Sequence, residues 1–434
     1  MLGPPLLGRQ YTSHLDEIQD AEMADGTTPA AAASSPAGGA SAAGAATTLK
    51  RAHPDRQAKL RFASATDIGG GQTNQDASDM FEIPGENCVV FGVYDGHGRE
   101  LGELASSVAK ESIRAALMEP GAIARVRMNP EHVLVDVFKR AHDAIREAFR
   151  KRYESTGWEV QDTDEGFLIK RQNPTQPWSC THGGTTATLV IILDGWRMIV
   201  ANVGDSTALW GGIDLEAQTL HRELSAEHSP ESVEEFERVR KFKALVGHDN
   251  PSGPIPEMRF VYDAPSFSKS QCPPIFELAA NGTIRVTGNG RYYKNVRSEW
   301  ATLVTTPPNA RFQDALAFTR SLGDLHLHVY GVSCRPTVAE YDLTALHSLV
   351  TSSDESPESR LSVLLVCTDG VWDNWKYPDV IAASLSPDLV SSVKTNNSAQ
   401  GATDRLMTAN IRRAKEHFGN QADNMTAIVC YISF

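Results

Sequence analysis

The chain has 434 residues, of which 41% are hydrophobic and 22% are charged, so it can bury a sizeable core and is not a disordered protein overall. Its formal net charge of -13 disfavours attraction to nucleic acid and to anionic membrane surfaces, so neither is an expected partner. No stretch of the sequence reaches the roughly 18 consecutive apolar residues of a membrane span.

The six cysteines are too far apart in the sequence to form the close pairs typical of zinc sites or redox disulfides. Cys88, Cys367 and Cys430 stand in apolar runs and are expected to be buried thiols. A reducing compartment suits such a chain, and residues 1–16 lack the basic region and long apolar core of a secretory signal. We therefore expect a cytoplasmic or nuclear protein.

Residues 1–55 are predicted to form a flexible, low-complexity tail. Between residues 27 and 48 the sequence is almost entirely Ala, Gly, Ser, Thr and Pro, which cannot bury enough apolar surface to offset the entropy of ordering. Apolar strands and amphipathic helices begin near Leu60, and no comparable linker follows. Residues 56–434 are therefore predicted to form one domain.

The first clear elements of this domain are a strand, a tight turn and a helix. The apolar run Cys88–Tyr94 predicts a strand that ends at Asp95-Gly96-His97-Gly98. From Leu101 to Ala116 apolar residues then recur at helical spacing. A second amphipathic helix is predicted over 130–152.

A β-hairpin is predicted around Asp194-Gly195, a dipeptide typical of type I′ turns, between β-rich runs at 185–193 and 196–202. A strand at 206–210 extends this meander. Strands are also predicted at 361–367 and 425–432, with a helix over about 403–418 between them. The stretch 229–309 is poor in periodicity and rich in Pro and Gly, which indicates an irregular flap or insertion.

Four aspartates lie just beyond or between the apolar runs: Asp95, Asp205, Asp369 and Asp423. Strand ends can gather such side chains at one edge of the sheets. Carboxylate oxygens suit Mg²⁺ or Mn²⁺, and a pair of these ions needs one bridging carboxylate with further oxygen ligands. Asp-Gly is also the commonest turn dipeptide, so Asp95, Asp194 and Asp369, each taken alone, have a turn as the alternative interpretation.

The order of eight short motifs decides between these interpretations. They are Thr73-Asn74-Gln75-Asp76-Ala77, Val93-Tyr94-Asp95-Gly96-His97-Gly98, Gly183-Gly184-Thr185-Thr186-Ala187, Val203-Gly204-Asp205-Ser206, Leu224-Ser225-Ala226-Glu227-His228, Ala317-Phe318-Thr319-Arg320-Ser321-Leu322-Gly323-Asp324, Thr368-Asp369-Gly370-Val371-Trp372-Asp373 and Asp423-Asn424-Met425-Thr426. Through them the sequence, from about residue 60 to residue 434, resembles the metal-dependent protein phosphatase family (PPM), the type 2C serine/threonine protein phosphatases.

The resemblance implies an α+β fold, a four-layer α-β-β-α sandwich of two antiparallel sheets flanked by helices. It also implies two Mg²⁺ or Mn²⁺ ions in a cleft at one edge of the sandwich. By position in the motifs, Asp95 would bridge both ions, and the Gly96 carbonyl would complete the shell of one. Asp369 and Asp423 would hold the other ion, and Asp76 would bind an ion or its coordinated water.

Two further residues take roles from the resemblance. Asp205 matches the aspartate that can hold a third metal ion in this family, with a turn residue at a strand end as the alternative. His97 resembles the family's proposed general acid, which protonates the leaving serine or threonine oxygen. The implied nucleophile is a metal-bridging hydroxide, so no cysteine nucleophile is required.

The implied function is that of a metal-dependent serine/threonine protein phosphatase, a phosphoric monoester hydrolase that acts on phosphoserine and phosphothreonine in phosphoproteins. We expect a monomer whose residues 56–434 form the catalytic domain. Two positions depart from the family pattern. Gly71 stands where the family often has an arginine that holds the substrate phosphate, so the phosphate-binding group is not identified. Gln75 replaces a common acidic residue and could weaken the ligand field of one metal ion.

Two other functions were weighed against this one. A catalytically silent regulatory module with the phosphatase fold would be expected to lose its metal-binding aspartates, whereas Asp95, Asp369 and Asp423 are all present together with His97. A two-metal nuclease or small-molecule phosphoesterase would use the same ions. The acidic charge and the lack of a basic stretch with interleaved aromatics argue against the nuclease.

Overall fold

The structure, a computed structural model, describes residues 57–242, 257–264, 268–350 and 360–434. The predicted tail, residues 1–55, lies outside the described residues. Within them, no helix is both long and apolar enough to cross a membrane.

The strands are β1 (Lys59–Asp67), β2 (Ala77–Ile83), β3 (Cys88–Tyr94), β4 (Gly96–His97), β5 (Glu159–Asp162), β6 (Leu168–Arg171), β7 (Ser179–Cys180), β8 (Gly184–Thr185), β9 (Ala187–Leu193), β10 (Arg197–Val203), β11 (Thr207–Ile213), β12 (Thr219–Glu223), β13 (Arg259–Tyr262), β14 (Phe276–Leu278), β15 (Ile284–Val286), β16 (Thr302–Thr305), β17 (Ala315–Leu316), β18 (Leu322–Gly323), β19 (Thr337–Asp342), β20 (Ser362–Cys367) and β21 (Met425–Ser433).

The helices are α1 (Gly102–Leu117), α2 (Ala122–Met128), α3 (Pro130–Ser155), α4 (Val233–Lys241), α5 (Leu325–His328), α6 (Leu343–Ser348), α7 (Asp369–Trp372), α8 (Tyr377–Ser384), α9 (Pro387–Asn396) and α10 (Gln400–Phe418), and short 3₁₀ turns occur at Lys269–Gln271 and Gly419–Gln421.

Two five-stranded antiparallel sheets form the centre of the molecule. The first sheet has the order β1-β21-β20-β11-β12, and the second has the order β19-β10-β9-β3-β2. The hairpin between β9 and β10 contains the predicted turn, because Asp194 and Gly195 have the positive φ values of 54° and 68° that a type I′ turn needs.

Strand β21 shows why the sheets stack into layers. Its alternate side chains Ala427, Val429 and Tyr431 pack into the core on the helical side of the first sheet. The intervening Ile428 and Cys430 pack into the core between the two sheets. Since side chains alternate across a strand and both faces are apolar, the strand must be covered on both sides.

Helices cover the outer face of each sheet. On the second sheet, buried residues of α1 and α3 share one core with those of β3 and β9. On the first sheet, buried residues of α8, α9 and α10 share a core with those of β20 and β21. The layers therefore run helix, sheet, sheet, helix, and the predicted four-layer sandwich is confirmed.

The stretch 229–309 contains more regular structure than its poor periodicity predicted. Its described residues include α4 and the short strands β13, β14, β15 and β16, which pair in two small sheets. Each of these strands has only three or four residues, too few for an alternating pattern to be seen in the sequence.

The predicted buried thiols are confirmed. Cys88, Cys367 and Cys430 are 3%, 0% and 0% exposed, and all three are free.

Candidate metal centre and active site

The aspartates of the motifs come from both sheets and stand at one end of the strands that carry them. Asp76 directly precedes β2 and Asp95 directly follows β3, and the antiparallel pairing of Ala77 with Tyr94 sets these two side by side. Asp369 opens α7 just after β20, and Asp423 lies just before β21, where Cys367 pairs with Ala427. Each sheet therefore contributes two carboxylates.

Asp95 lies at the centre of this group, because its side chain is within hydrogen-bonding reach of both Asp76 and Asp369. Burial raises the pKa of Asp95 well above its ordinary value, and the neighbouring carboxylates, Asp369 first, raise it further. Burial also raises the pKa of Asp76 to about 6 and, together with the charge of Asp76, that of Asp423 to about 7. Carboxylates this close cannot all be ionised without a compensating proton or cation.

The hydrogen bonding of these carboxylates is incomplete in a way that fits metal binding. Thr368 Oγ1 donates to Asp76 Oδ2 at 2.8 Å, and the Asn424 amide donates to Asp423 Oδ1 at 2.8 Å. In contrast, the Oδ1 atoms of Asp76 and Asp369 are buried and have no hydrogen-bond partner. Since burying an unsatisfied anionic oxygen is costly, and all the donors are hard oxygens, the group fits divalent cations of the Mg²⁺ and Mn²⁺ class.

Gly96 is fixed by close packing of the backbone. A Cβ atom at this position would lie 2.4 Å from the carbonyl oxygens of both Gln75 and Gly102. The chain can therefore turn directly after Asp95 only with glycine here.

Asp205 lies in the same electrostatic environment as the other aspartates. It follows β10, and its charge is the first among those that raise the pKa of Asp369, after burial itself. Asp205 Oδ1 is also buried and without a hydrogen-bond partner. The structure therefore brings Asp205 to the group, as a third metal position would require.

His97 is paired with a second acidic residue, Asp324. Its Nε2 lies 2.9 Å from both carboxylate oxygens of Asp324, and Ser321 Oγ donates to Asp324 Oδ2 at 2.6 Å. Burial lowers the pKa of His97, but the charge and hydrogen bond of Asp324, together with the charges of Asp205 and Asp314, outweigh burial, and the pKa is raised above its ordinary value. The imidazole is therefore biased towards its protonated form, as a general acid requires.

A small three-stranded sheet, β18-β8-β4, holds this pair together. His97 pairs with Gly184, and Gly184 pairs with Gly323, the residue before Asp324. A Cβ atom at Gly184 would lie 2.3 Å from Asp324 Oδ2, so glycine is needed for the close approach. Asp324 ends one of the eight motifs, but the motif alone indicated no role for it.

Asp373 is a further acidic residue that the sequence analysis missed. Its charge contributes to the raised pKa values of Asp369 and Asp423. Asn295, from the predicted insertion, donates to Asp373 Oδ1 at 3.1 Å. The insertion therefore contacts the edge of the aspartate group, which its sequence pattern did not indicate.

The structure explains one of the two departures from the family pattern, Gln75, and nothing in it requires the other, Gly71. Gln75 Nε2 donates to the Gly98 carbonyl at 2.6 Å, so its amide supports the turn that carries Asp95 and His97. Gly71 does not have the positive φ of Gly69, and the atom nearest to a Cβ built there would be the Thr73 carbonyl oxygen, at 3.5 Å. A side chain is therefore compatible with the backbone at position 71.

Comparisons with known proteins agree with the fold and the motifs. Residues 86–251 match the family described as protein phosphatase 2C. The chain is 22% identical over 374 residues to the probable protein phosphatase 2C 72 of Arabidopsis thaliana, covering 86% of each chain. It is 27% identical over 209 residues to the mitochondrial protein phosphatase 1K of Xenopus laevis, covering 47% of this chain and 46% of that one.

A solved structure shows the same fold. The crystal structure of a serine-threonine phosphatase 2C from Toxoplasma gondii matches with a TM-score of 0.52 at 16% identity, covering 86% of this chain and 95% of that one. The resemblance found in the sequence motifs is thus confirmed by relatives and by the fold.

Proposed function

We propose that this chain is a member of the metal-dependent protein phosphatase family and an active serine/threonine protein phosphatase that hydrolyses phosphoserine and phosphothreonine in phosphoproteins. The observation that carries the proposal is the group of partly exposed carboxylates around Asp95, with unsatisfied buried oxygens on Asp76 and Asp369. A silent module would have no reason to keep such a costly arrangement. We further propose that residues 56–434 act as one catalytic domain.

Two Mg²⁺ or Mn²⁺ ions would be held by Asp76, Asp95, Asp369, Asp423 and the Gly96 carbonyl, with a third at Asp205. When bound, the cations would lower the pKa of water, so that hydroxide can attack phosphorus, and would neutralise the charge of the phosphate. The chain's own contribution is to place its oxygens on two rigid sheets, so that little reorganisation is needed.

His97 would donate a proton to the leaving serine or threonine oxygen. Asp324 favours the protonated ring and fixes its orientation through Nε2, so the proton to be transferred would be on Nδ1. With the leaving oxygen protonated, the products are a neutral hydroxyl group and inorganic phosphate.

The test is release of phosphate from a phosphothreonine peptide by the chelated and dialysed protein, with and without added Mn²⁺ or Mg²⁺. We expect turnover to appear on addition of either cation and to be absent in excess EDTA, because only carboxylate and backbone oxygens are available as ligands. Full turnover in excess EDTA would contradict the proposed metal-dependent mechanism.

The matched variant is Asp369→Asn, which removes one ligand charge and nearly preserves shape. Turnover should fall by orders of magnitude while the circular dichroism spectrum stays that of the wild type. A folded variant with an unchanged rate would show that Asp369 is a turn residue only. A wild-type protein that binds Mn²⁺ yet releases no phosphate from any phosphopeptide would favour the silent regulatory module.

A further inference from the structure

A second cluster of metal-ligating side chains lies outside the aspartate group. His142 on α3, His328 at the end of α5, and Cys334 each offer one ligand atom, and these atoms lie within 4.8 Å of one another. The two imidazole rings are 4.4 Å apart between centroids, and the Cys334 thiol is free. His142 is far from His328 and Cys334 in the sequence, so the spacing of cysteines gave no sign of the cluster.

The hydrogen bonding of His328 prepares it to bind a metal ion. Its Nε2 is buried and has no hydrogen-bond partner. The His328 ring also forms a hydrogen bond with the backbone of Ser321, and this bond raises the pKa of His328. A bond with that effect has the ring as its donor, so the other nitrogen, Nδ1, carries the proton and donates to the Ser321 carbonyl. Metal-binding histidines have this arrangement, in which one nitrogen donates to a backbone carbonyl and the other keeps its lone pair for the metal.

Both histidines are neutral at pH 7. Burial lowers the pKa of His142 to about 4. Burial, and then the neighbouring His142, lower the pKa of His328 well below its usual value. The two charges that act most strongly on His142, Asp143 and Lys139, form an ion pair at 2.5 Å and so largely compensate each other. A cation would therefore meet neutral donor atoms in a site without a large net charge.

We propose that His142, His328 and Cys334 form a binding site for a zinc-class metal ion, and that occupancy of this site inhibits the enzyme. Two imidazole nitrogens and one sulfur are borderline to soft ligands, which favour Zn²⁺ or Co²⁺ over the Mg²⁺ and Mn²⁺ that suit the aspartates. A tetrahedral zinc ion brings its ligand atoms to roughly 3.5 Å of one another, so the three side chains need to close by about 1 Å. Binding would release the thiol proton, and water would fill the fourth position.

The inhibition follows from the lone pair of His142. The Gly323 amide donates to His142 Nδ1 at 3.2 Å, so in the neutral ring Nδ1 holds the one available lone pair and Nε2 carries the proton. A metal ion must either take Nδ1 itself or take Nε2 after the proton has moved to Nδ1. In both cases Nδ1 can no longer accept from the Gly323 amide.

Loss of the hydrogen bond between the Gly323 amide and His142 would displace Asp324, the partner of His97. Gly323 belongs to β18 and directly precedes Asp324. The carbonyl that His328 contacts belongs to Ser321, whose hydroxyl group donates to Asp324. Both histidines thus touch the short segment 321–324 that positions Asp324. The inhibitory half of this inference rests on the proposed function, whereas metal binding at the site does not.

The binding test uses Co²⁺ as the probe, added to the full chain in saturating Mg²⁺. A thiolate ligand gives an intense near-ultraviolet charge-transfer band to cobalt, which aspartates cannot give. We expect this band to reach its full height at one equivalent of Co²⁺, to disappear in Cys334→Ala, and to persist in Cys272→Ala, where a buried thiol outside the cluster is removed. A band that is missing in the wild type, or retained in Cys334→Ala, would overturn the site.

The coupling test has two readouts. With Mg²⁺ saturating, Zn²⁺ should inhibit the wild type and Cys272→Ala alike, and inhibition of Cys334→Ala should need about tenfold more zinc or more, because one ligand is gone. Hydrogen exchange should be faster at the Gly323 amide in the zinc-bound wild type and unchanged by zinc in Cys334→Ala. Equal inhibition of all three proteins, with exchange unaffected, would place zinc at the aspartates and overturn the coupling. If the protein proves inactive, the exchange readout still decides this question.

Discussion

At the scale of single residues, the carboxylate that most favours a proton on His97 is that of Asp324. Asp324 raises the pKa of His97 against the opposing effect of burial. The group is a general acid in the proposed reaction, so kcat should fall as pH rises through this pKa.

Asp324→Asn should therefore move the alkaline fall of kcat to lower pH, because the amide cannot stabilise the imidazolium. An opposite charge within a few ångströms shifts a pKa by about 1 to 3 units, so we expect a displacement of about one unit or more. The measurement is a pH profile of kcat at saturating Mn²⁺. A purely structural role of Asp324 would lower kcat equally at every pH and leave the profile unmoved.

The chain offers a matched control in a second histidine–aspartate pair. His182 Nδ1 lies 2.9 Å from Asp314 Oδ2, the same distance as in the pair of His97 and Asp324. Asp314→Asn should leave the alkaline limb nearly in place, since the charge of Asp314 raises the pKa of His97 less than that of Asp324 or Asp205 does.

Gly71→Arg should strengthen substrate binding. An arginine fork suits phosphate, and a charge-assisted hydrogen bond contributes about 1.5 to 3 kcal/mol when well placed, which corresponds to a KM lower by roughly tenfold or more. If the contact is equally strong in the ground and transition states, kcat should barely change. The measurement is the steady-state kinetics of a phosphopeptide together with a melting curve. A folded variant with unaltered KM would show that another group already binds the phosphate.

The role of a residue could be predicted where a sequence motif indicates it. It could not be predicted where the role depends on a contact between residues distant in the sequence. Asp95 and Asp369 stand beside glycines at the ends of apolar runs, a pattern visible in the sequence. The partner of His97 is 227 residues away in the sequence, and its role follows from a hydrogen bond across a small sheet. From the sequence, Gln75 is understood only as the replacement of an acidic residue. In the structure its side-chain amide donates a hydrogen bond to the Gly98 carbonyl.

At the scale of elements, α4 is tied to the rest of the fold by a buried carboxylate. Glu235, 4% exposed, accepts hydrogen bonds from Arg320 at 2.5 Å and from Thr319 Oγ1 at 2.5 Å, and forms an ion pair with Arg238. Burial would raise the pKa of Glu235, but hydrogen bonds from Arg320 and Arg238 outweigh burial and hold the pKa well below its usual range.

Glu235→Gln should lower the free energy of unfolding by about 3 to 5 kcal/mol, because it leaves two guanidinium groups without their buried anion. A depressed pKa in the folded state stabilises the fold above the unfolded value, about 4.3, and this stabilisation is lost as pH falls. The difference between wild type and variant, measured by urea unfolding, should thus be constant above about pH 5.5 and narrow below about pH 4.

Glu237→Gln on the same helix is the control for this prediction. Glu237 forms an exposed ion pair with Lys241 at 3.3 Å, and such pairs contribute at most about 1 kcal/mol. Equal destabilisation by the two variants would mean that the buried charge of Glu235 contributes no more to stability than the exposed charge of Glu237.

The long elements were the ones the sequence predicted well. Strand β3 has the predicted bounds, α3 covers the predicted range and extends a few residues beyond it, and α10 ends before Gly419 as predicted. Their periodic apolar residues repeat often enough to define one buried face. The short strands between residues 259 and 305 carry no such repeat, so they become regular only through pairing, β13 with the distant β16 and β14 with the neighbouring β15.

At the scale of the whole molecule, the predicted sandwich is confirmed, whereas the interpretation of the tail stays a prediction. Deleting residues 1–48 should change the thermal midpoint and turnover little, since a stretch of Ala, Gly and Ser buries little apolar surface. The measurement is a melting curve and a phosphopeptide assay on both forms. A large fall in the midpoint would show that the tail packs against the domain.

The division of the aspartates between the sheets would give the proposed cations a second role, as a crosslink in the fold. Asp76 and Asp95 belong to one sheet, and Asp369 and Asp423 to the other, so an ion held by both pairs joins the two layers at one end. Ligand binding to the folded state alone stabilises it by about 2.7 kcal/mol at a hundredfold excess over Kd. The thermal midpoint of the wild type should therefore climb with Mn²⁺ concentration, and that of Asp369→Asn should climb much less. A chelator would then act as a mild denaturant of this protein.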